Sequence, residues 1–262
     1  MIDRATKERL TAALNECLRI LAETPDEVAS VVRPPAVAPV ADNDDAGFAF
    51  TDYGRFYDYL RGNRMLGPKI SATEFAGCDA IIKACALAGW PVSFTAYALA
   101  TAYLETASTM QPISEKGGTT YFTRMYDIRG NRPAKARELG NLAPGDGAKY
   151  HGRGYVQLTG KDNYAKATVK LRELGIEVDL VAQPDRAKEP AIAALVMVYG
   201  MMEGWFTGRK LPDDLPRRGA GTRQQFKLSR DIINGTDKDD EIADFAVDFQ
   251  SGLQSGGYKI AA

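Results

Sequence analysis

The stretch Phe94–Leu104, FTAYALATAYL, constrains this chain more than any other. Almost every residue in it is Ala, Leu, Tyr or Thr. A helix built from it is apolar around most of its circumference, so it cannot lie on a surface and must be enclosed by other elements. The run ends in a carboxylate, Glu105, and a second one, Glu115, follows ten residues later.

The enclosing elements are read from helical periodicity and its punctuation. Phe56, Tyr57 and Leu60 mark a short helix. Ser71 and Glu74 form a capping box ahead of FAGCDAIIKACALAG. Gly89 and Pro91 punctuate, and Ser93 is expected to cap the apolar helix. Between Gly117 and Tyr150 only the region around Ala134–Leu139 reads as helix, and GNLAPGDG is turn chemistry. Helices resume over 163–173, 190–205 with Pro190 in its first turn, 222–233 and 238–252, the last two joined by Asn234-Gly235. The fold class is mainly α, with a small β-hairpin excursion between residues 116 and 160.

The N-terminal part is set apart. Leu10, Leu14, Cys17, Leu18 and Leu21 fall on one stripe of an amphipathic helix over 3–22, which Pro25 ends. VVRPPAVAPVADNDDAGFAF, with Pro34, Pro35 and Pro39 before Asn43, Asp44 and Asp45, has linker composition. The expected division is a helix-bearing segment over 1–30, a linker over 31–50 and a main domain over 51–262. One amphipathic helix is too short to fold alone, so it docks on the main domain or binds a partner.

A formal net charge of −1 gives no global pull toward nucleic acid, and none is expected as a partner. Charge is uneven, however: Arg124 to Arg172 holds eleven Lys/Arg against four acids, suited either to a polyanionic polymer or to plain solvation. Cys17, Cys78 and Cys85 cannot all pair and lack metal-ligand spacing. The seven-residue gap between Cys78 and Cys85 suits two core positions on one helix, and a reduced compartment during synthesis fits best. The single histidine, His151, excludes a His-rich metal site or a His-dependent triad elsewhere, so no metal or other cofactor is expected. MIDRATKERL has no apolar signal core, and no run approaches the ~18 residues of a membrane span, so no stable membrane insertion is expected.

The two glutamates suit glycoside hydrolysis. Glu105 lies on the last turn of an apolar helix, where desolvation and the negative end of the helix dipole both favour a protonated acid. Ten residues of continuous helix would carry Glu115 ~15 Å away, but Pro112 ends the helix and lets the chain fold back. Lys116 and Gly117-Gly118 suggest that Glu115 is exposed and solvated. An acid and a base flanking a water form an inverting hydrolase, with carboxyls ~6.5–9.5 Å apart. Spacing alone leaves another reading open, in which Glu105 is a helix-end acid paired with an arginine and Glu115 a surface charge.

TAYLETASTMQPISEKGG followed by KYHGRGYVQLTGKDNY resembles the catalytic core of family 19 glycoside hydrolases, chitinase-like enzymes with a lysozyme-like α-helical domain. The phage and prophage endolysin branch is the nearest match. The resemblance runs from about Tyr53 to Gln254, with LGPKISATEFAGCDAII, DLVAQPD and DIINGTD as further matches, and GRGYVQLTG as the most specific. It implies that Glu105 is the general acid, Glu115 the second carboxylate, and Thr159 a hydroxyl that holds the nucleophilic water. Tyr155, Gln157 and Asn163 match groove residues, and amide and phenol groups suit sugar hydroxyls and N-acetyl groups. Arg153 is either a substrate contact or a structural partner of a buried carboxylate, and Asn234 either lines the groove or serves only its turn. The family often has His before the first glutamate, where this chain has Leu104.

The function so implied is an endolysin that cleaves the β-1,4 bonds of peptidoglycan glycan strands. Made in a host bacterial cytoplasm without a signal peptide, it would reach the cell wall by holin-dependent release or delivery in a particle. The alternatives are a chitinase, a lytic transglycosylase that needs one carboxylate and no base, and a non-catalytic protein that kept the fold.

Overall fold

The computed structural model describes residues 48–49, 52–67, 69–233 and 235–260. The expected N-terminal helix and the linker, apart from Phe48–Ala49, lie outside the described residues.

Three helices come first: α1 (Tyr53–Gly62), α2 (Ala72–Leu87) and α3 (Val92–Glu105). The capping box on α2 is made, with the Glu74 amide donating to Ser71 Oγ at 3.1 Å and the Ser71 amide to Glu74 Oε2 at 2.8 Å. In α3 every residue from Ser93 to Ala102 is buried, as its all-round apolar character requires. Ser93 is not its cap. The helix starts at Val92 behind Pro91, and the Ser93 hydroxyl donates instead to the Pro216 carbonyl at 3.0 Å.

After β2 (Ile113–Ser114) come α4 (Thr119–Tyr126), α5 (Pro133–Glu138) and α6 (Asp146–Lys149), then β3 (Arg153–Gly154). The helices α4 and α6 are absent from the sequence expectation. TTYFTRMY is rich in β-branched and aromatic residues with weak helix preference, so tertiary packing decides its state. Next are α7 (Lys161–Glu173), a 3₁₀ turn at Pro184–Lys188, α8 (Pro190–Glu203) and α9 (Leu211–Asp214). The chain finishes with α10 (Arg223–Leu228), a 3₁₀ turn at Ser229–Ile232, α11 (Asp239–Ser255) and β4 (Lys259–Ile260).

The centre is built by α3 against α11, with α1 and α10 packed on α11 and α2 lying between α3 and α8. Gly252 on α11 lets that helix close onto Phe56 and Leu60 of α1. Both Cys78 and Cys85 are free thiols in the core, and burial pushes the Cys78 thiol up to about 12.

Strands are minimal. β1 (Phe48–Ala49) pairs antiparallel with β4, and β2 pairs antiparallel with β3, Ile113 opposite Gly154 and Ser114 opposite Arg153. The expected hairpin is thus a long-range pairing. GYVQLTG is not a strand but a tight loop closed by two Arg153–Leu158 backbone hydrogen bonds, with Gly154 and Gln157 at φ +87° and +53°.

Candidate active site

The α3 helix carries Glu105 to its C-terminal end, and Thr106 closes that end with its hydroxyl on the Ala102 carbonyl at 2.7 Å. Arg230 faces Glu105. Its Nη1 donates to Glu105 Oε1 at 2.8 Å and its Nε to the Asp237 carbonyl at 2.7 Å, while the residue is only 2 % exposed. The Tyr97 hydroxyl, on the same helix as Glu105, steadies the turn bearing Arg230 by donating to the Ser229 carbonyl at 2.6 Å. The Glu105 side chain keeps 19 % of its surface, and its Oε2 has no donor among the described residues. The arginine partner that the sequence reading left open for Glu105 is thus present: a buried guanidinium lies against this carboxyl.

Glu115 is also more ordered than expected. Its amide donates to the Gly152 carbonyl at 2.8 Å, beside the β2–β3 pair. The Tyr126 hydroxyl donates to Oε1 at 2.8 Å, and the Gly152 amide reaches Oε2 at 3.3 Å. Burial, and then the carboxylate it bonds, push the Tyr126 phenol above its ordinary range, so it stays a donor. The neighbouring Gly117 is not a free hinge. A Cβ there would come within 2.7–3.0 Å of the Tyr121 and Phe122 rings.

The GRGYVQLTG loop converges on the same spot. A Cβ on Gly152 would lie 2.9 Å from Gln157 Oε1 and 3.2 Å from both Glu115 Oε2 and Thr159 Oγ1, so any side chain here would crowd all three. The Thr159 hydroxyl donates to the Gln157 carbonyl at 2.8 Å, and the Asn163 amide to the Thr159 carbonyl at 2.9 Å. The Gln157 amide nitrogen braces the loop through the Gly154 carbonyl at 3.1 Å and the Ile113 carbonyl at 3.3 Å. His151 stacks flat on Phe122 at 4.2 Å with Nδ1 2.7 Å from the Ala148 carbonyl, which makes Nδ1 the protonated nitrogen.

Tyr155, matched to a groove residue, and Arg153, left open between substrate contact and structural partner, are both buried. Tyr155 is fully buried, because Gly154 at positive φ backs onto the Ala187 carbonyl and turns the next side chain inward. Its hydroxyl has no hydrogen-bond partner among the described residues. Arg153 is 6 % exposed and ties the loop together, with Nε on Asp185 at 3.0 Å and Nη1 on the Lys149 carbonyl and the Tyr164 hydroxyl. These contacts fit the structural reading of Arg153. Asn234 lies outside the described residues.

The structure thus forms two carboxylate seats, Glu105 with Arg230 and Glu115 with Tyr126, Gly152, Gln157 and Thr159. Sequence reading missed Arg230 and Tyr126. Arg230 stands just before DIINGTD, so a guanidinium in that matched segment was the available signal, whereas Tyr126 is hidden in a helix the sequence does not announce. Among the described residues no group of three or more His, Cys, Asp or Glu is placed to hold a metal ion. No helix among them is long and apolar enough to cross a membrane.

No known family model matches the chain, and no curated protein does either. Among solved structures it is similar to chitinase C from Streptomyces griseus HUT6037, with 18% identity and a TM-score of 0.46 over 79% of this chain and 77% of that one. It is also similar to a bacterial family 19 chitinase, with 17% identity and a TM-score of 0.45 over 82% of this chain and 98% of that one.

Proposed function

We propose that the chain is a glycoside hydrolase that cleaves β-1,4 bonds in the glycan strands of peptidoglycan. The observation that carries this reading is the seat of Glu115: two donors fix its oxygens, and the Thr159 hydroxyl sits against the same Gly152 face. A carboxylate so oriented is suited to take a proton from an attacking water. Glu105 serves as the acid. Arg230 orients its carboxyl through Oε1. The net reaction adds water across the glycosidic bond, with inversion at the anomeric carbon.

The choice of peptidoglycan over uncharged chitin is supported by exposed cations on the stretch that also carries the Tyr126 donor, Arg124, Arg129, Arg132 and Lys149. Peptide stems on the wall polymer carry carboxylates that such residues attract. Mass analysis of products from purified peptidoglycan tests the reading, with Glu105→Gln as the control. Reducing-end fragments from the parent chain alone support hydrolysis. Anhydro products would replace it with transglycosylation, and release from chitin oligomers alone would move the substrate to chitin.

A further inference from the structure

A second groove lies on the outer face of α7, away from both carboxylate seats, with a volume of about 490 Å³. Its presentation is built into the end of α8. Gly200 leaves room for the Phe206 ring, which a Cβ there would meet at 2.3 Å, and Gly204 ends the helix at φ +75°. Phe206 therefore packs inward over the helix while Trp205, one residue earlier, lines the groove beside Ala165 and Val169. Val169 is 57% exposed.

A fixed polar rim surrounds this apolar floor. The Trp205 indole N–H donates to Glu203 Oε2 at 3.0 Å, and Glu203 Oε1 pairs with Lys170 at 2.5 Å. Lys170 also reaches Glu173 at 3.4 Å and lies 5.0 Å over the Tyr199 ring. Burial tends to lower the Lys170 ammonium, but its two carboxylate partners outweigh that and raise it, so the rim stays charged. An aromatic plane ringed by ordered oxygens and an ammonium matches a pyranose, whose ring presents an apolar face and an edge of hydroxyls. The groove and the first site share one helix. α7 starts directly after Thr159 and Gly160, carries Asn163 in its first turn, and continues into the groove lining.

We propose that this groove is a second carbohydrate site, which holds the same amino-sugar polymer against Trp205 while the carboxylate pair works on another segment. The inference rests on the glycan reading above. Its test compares the full chain with Trp205→Ala and Val169→Asp. The second change sits on an exposed position and puts an ion on the floor without emptying the core. Two readings are taken: retention on insoluble peptidoglycan and chitin, and hydrolysis of a soluble N-acetylglucosamine tetramer. Both variants are expected to lose at least five-fold in retention and to keep soluble turnover within two-fold. Trp205 emission should shift on adding the tetramer, since the other tryptophan, Trp90, is only 2 % exposed. If Trp205→Ala does not fold, Val169→Asp decides. Retention unchanged in Val169→Asp overturns the groove and leaves the hydrolase standing. Trp205-dependent retention by a chain that cleaves nothing supports the groove and sinks the hydrolase.

Discussion

Arg230 joins two pieces of chain 125 residues apart through one planar group, with a carboxylate on one nitrogen and a carbonyl on another. A lysine has the charge but cannot span both acceptors in that fixed geometry. Arg230→Lys should therefore behave much like Arg230→Ala, losing about 1–3 kcal/mol of stability and lowering kcat far more than KM. Rescue of kcat by lysine would mean that charge alone matters there. Glu105→Gln should lose on the order of 10²–10⁴ in kcat with the fold intact, the contribution of a general acid. His151 gives a pH signature. Burial, opposed by the Ala148 carbonyl and reinforced by Arg153, holds its folded value below the ordinary 6.5. The unfolded chain thus takes up this proton first as pH falls. The associated stability is present above about pH 6.5 and is lost as pH drops through that point toward the folded value. Denaturant unfolding should show this loss, and His151→Gln should flatten it.

At the scale of elements, the segment between the two carboxylates decides whether they work together. Ala107, Ser108 and Met110 all have φ between +51° and +67°, a conformation costly for residues with a Cβ. The Thr106 hydroxyl accepts from the Met110 amide at 3.0 Å, and the Gln111 amide donates to the Thr73 carbonyl on α2. Gly77 on α2 is what allows the approach, since a Cβ there would lie 1.8 Å from the Met110 carbonyl oxygen. Gly77→Ala should cost at least about 2 kcal/mol by overpacking and lower turnover by shifting Glu115 relative to Glu105. Normal activity with normal stability would show that the segment yields freely. Little of this is legible in the sequence. Apolar periodicity reveals α3, α8 and the α2 cap because burial and capping act locally on residue type. It is silent on Gly77, whose constraint comes from a carbonyl 33 positions away. The same limit explains Tyr155: a tyrosine beside a glycine reads as a groove residue until Gly154 is seen to turn the chain inward.

For the whole molecule, net charge and local charge make different statements. A chain of formal net charge −1 has no reason to adhere to a polyanion as a body. Its basic stretch, however, folds into neighbouring elements, α4 packing on both α5 and α6. Lys135 and Arg172 are partly spent on Glu138 and Asp179. Arg124, Arg129, Arg132 and Lys149 are exposed, and the Arg132 charge is felt at the Tyr126 hydroxyl that holds Glu115. Attraction through such exposed charges is screened over ~10 Å at 0.1 M salt and ~3 Å at 1 M. Retention on peptidoglycan should therefore fall several-fold as salt rises over that range, while retention on chitin, which rests on stacking and hydrogen bonds, should hardly change. Arg129→Ala with Arg132→Ala should flatten the salt response on peptidoglycan and leave chitin retention alone. Equal salt dependence on the two polymers would remove the electrostatic ground for preferring peptidoglycan, and the carboxylate chemistry would then have to be assigned to chitin on product analysis alone.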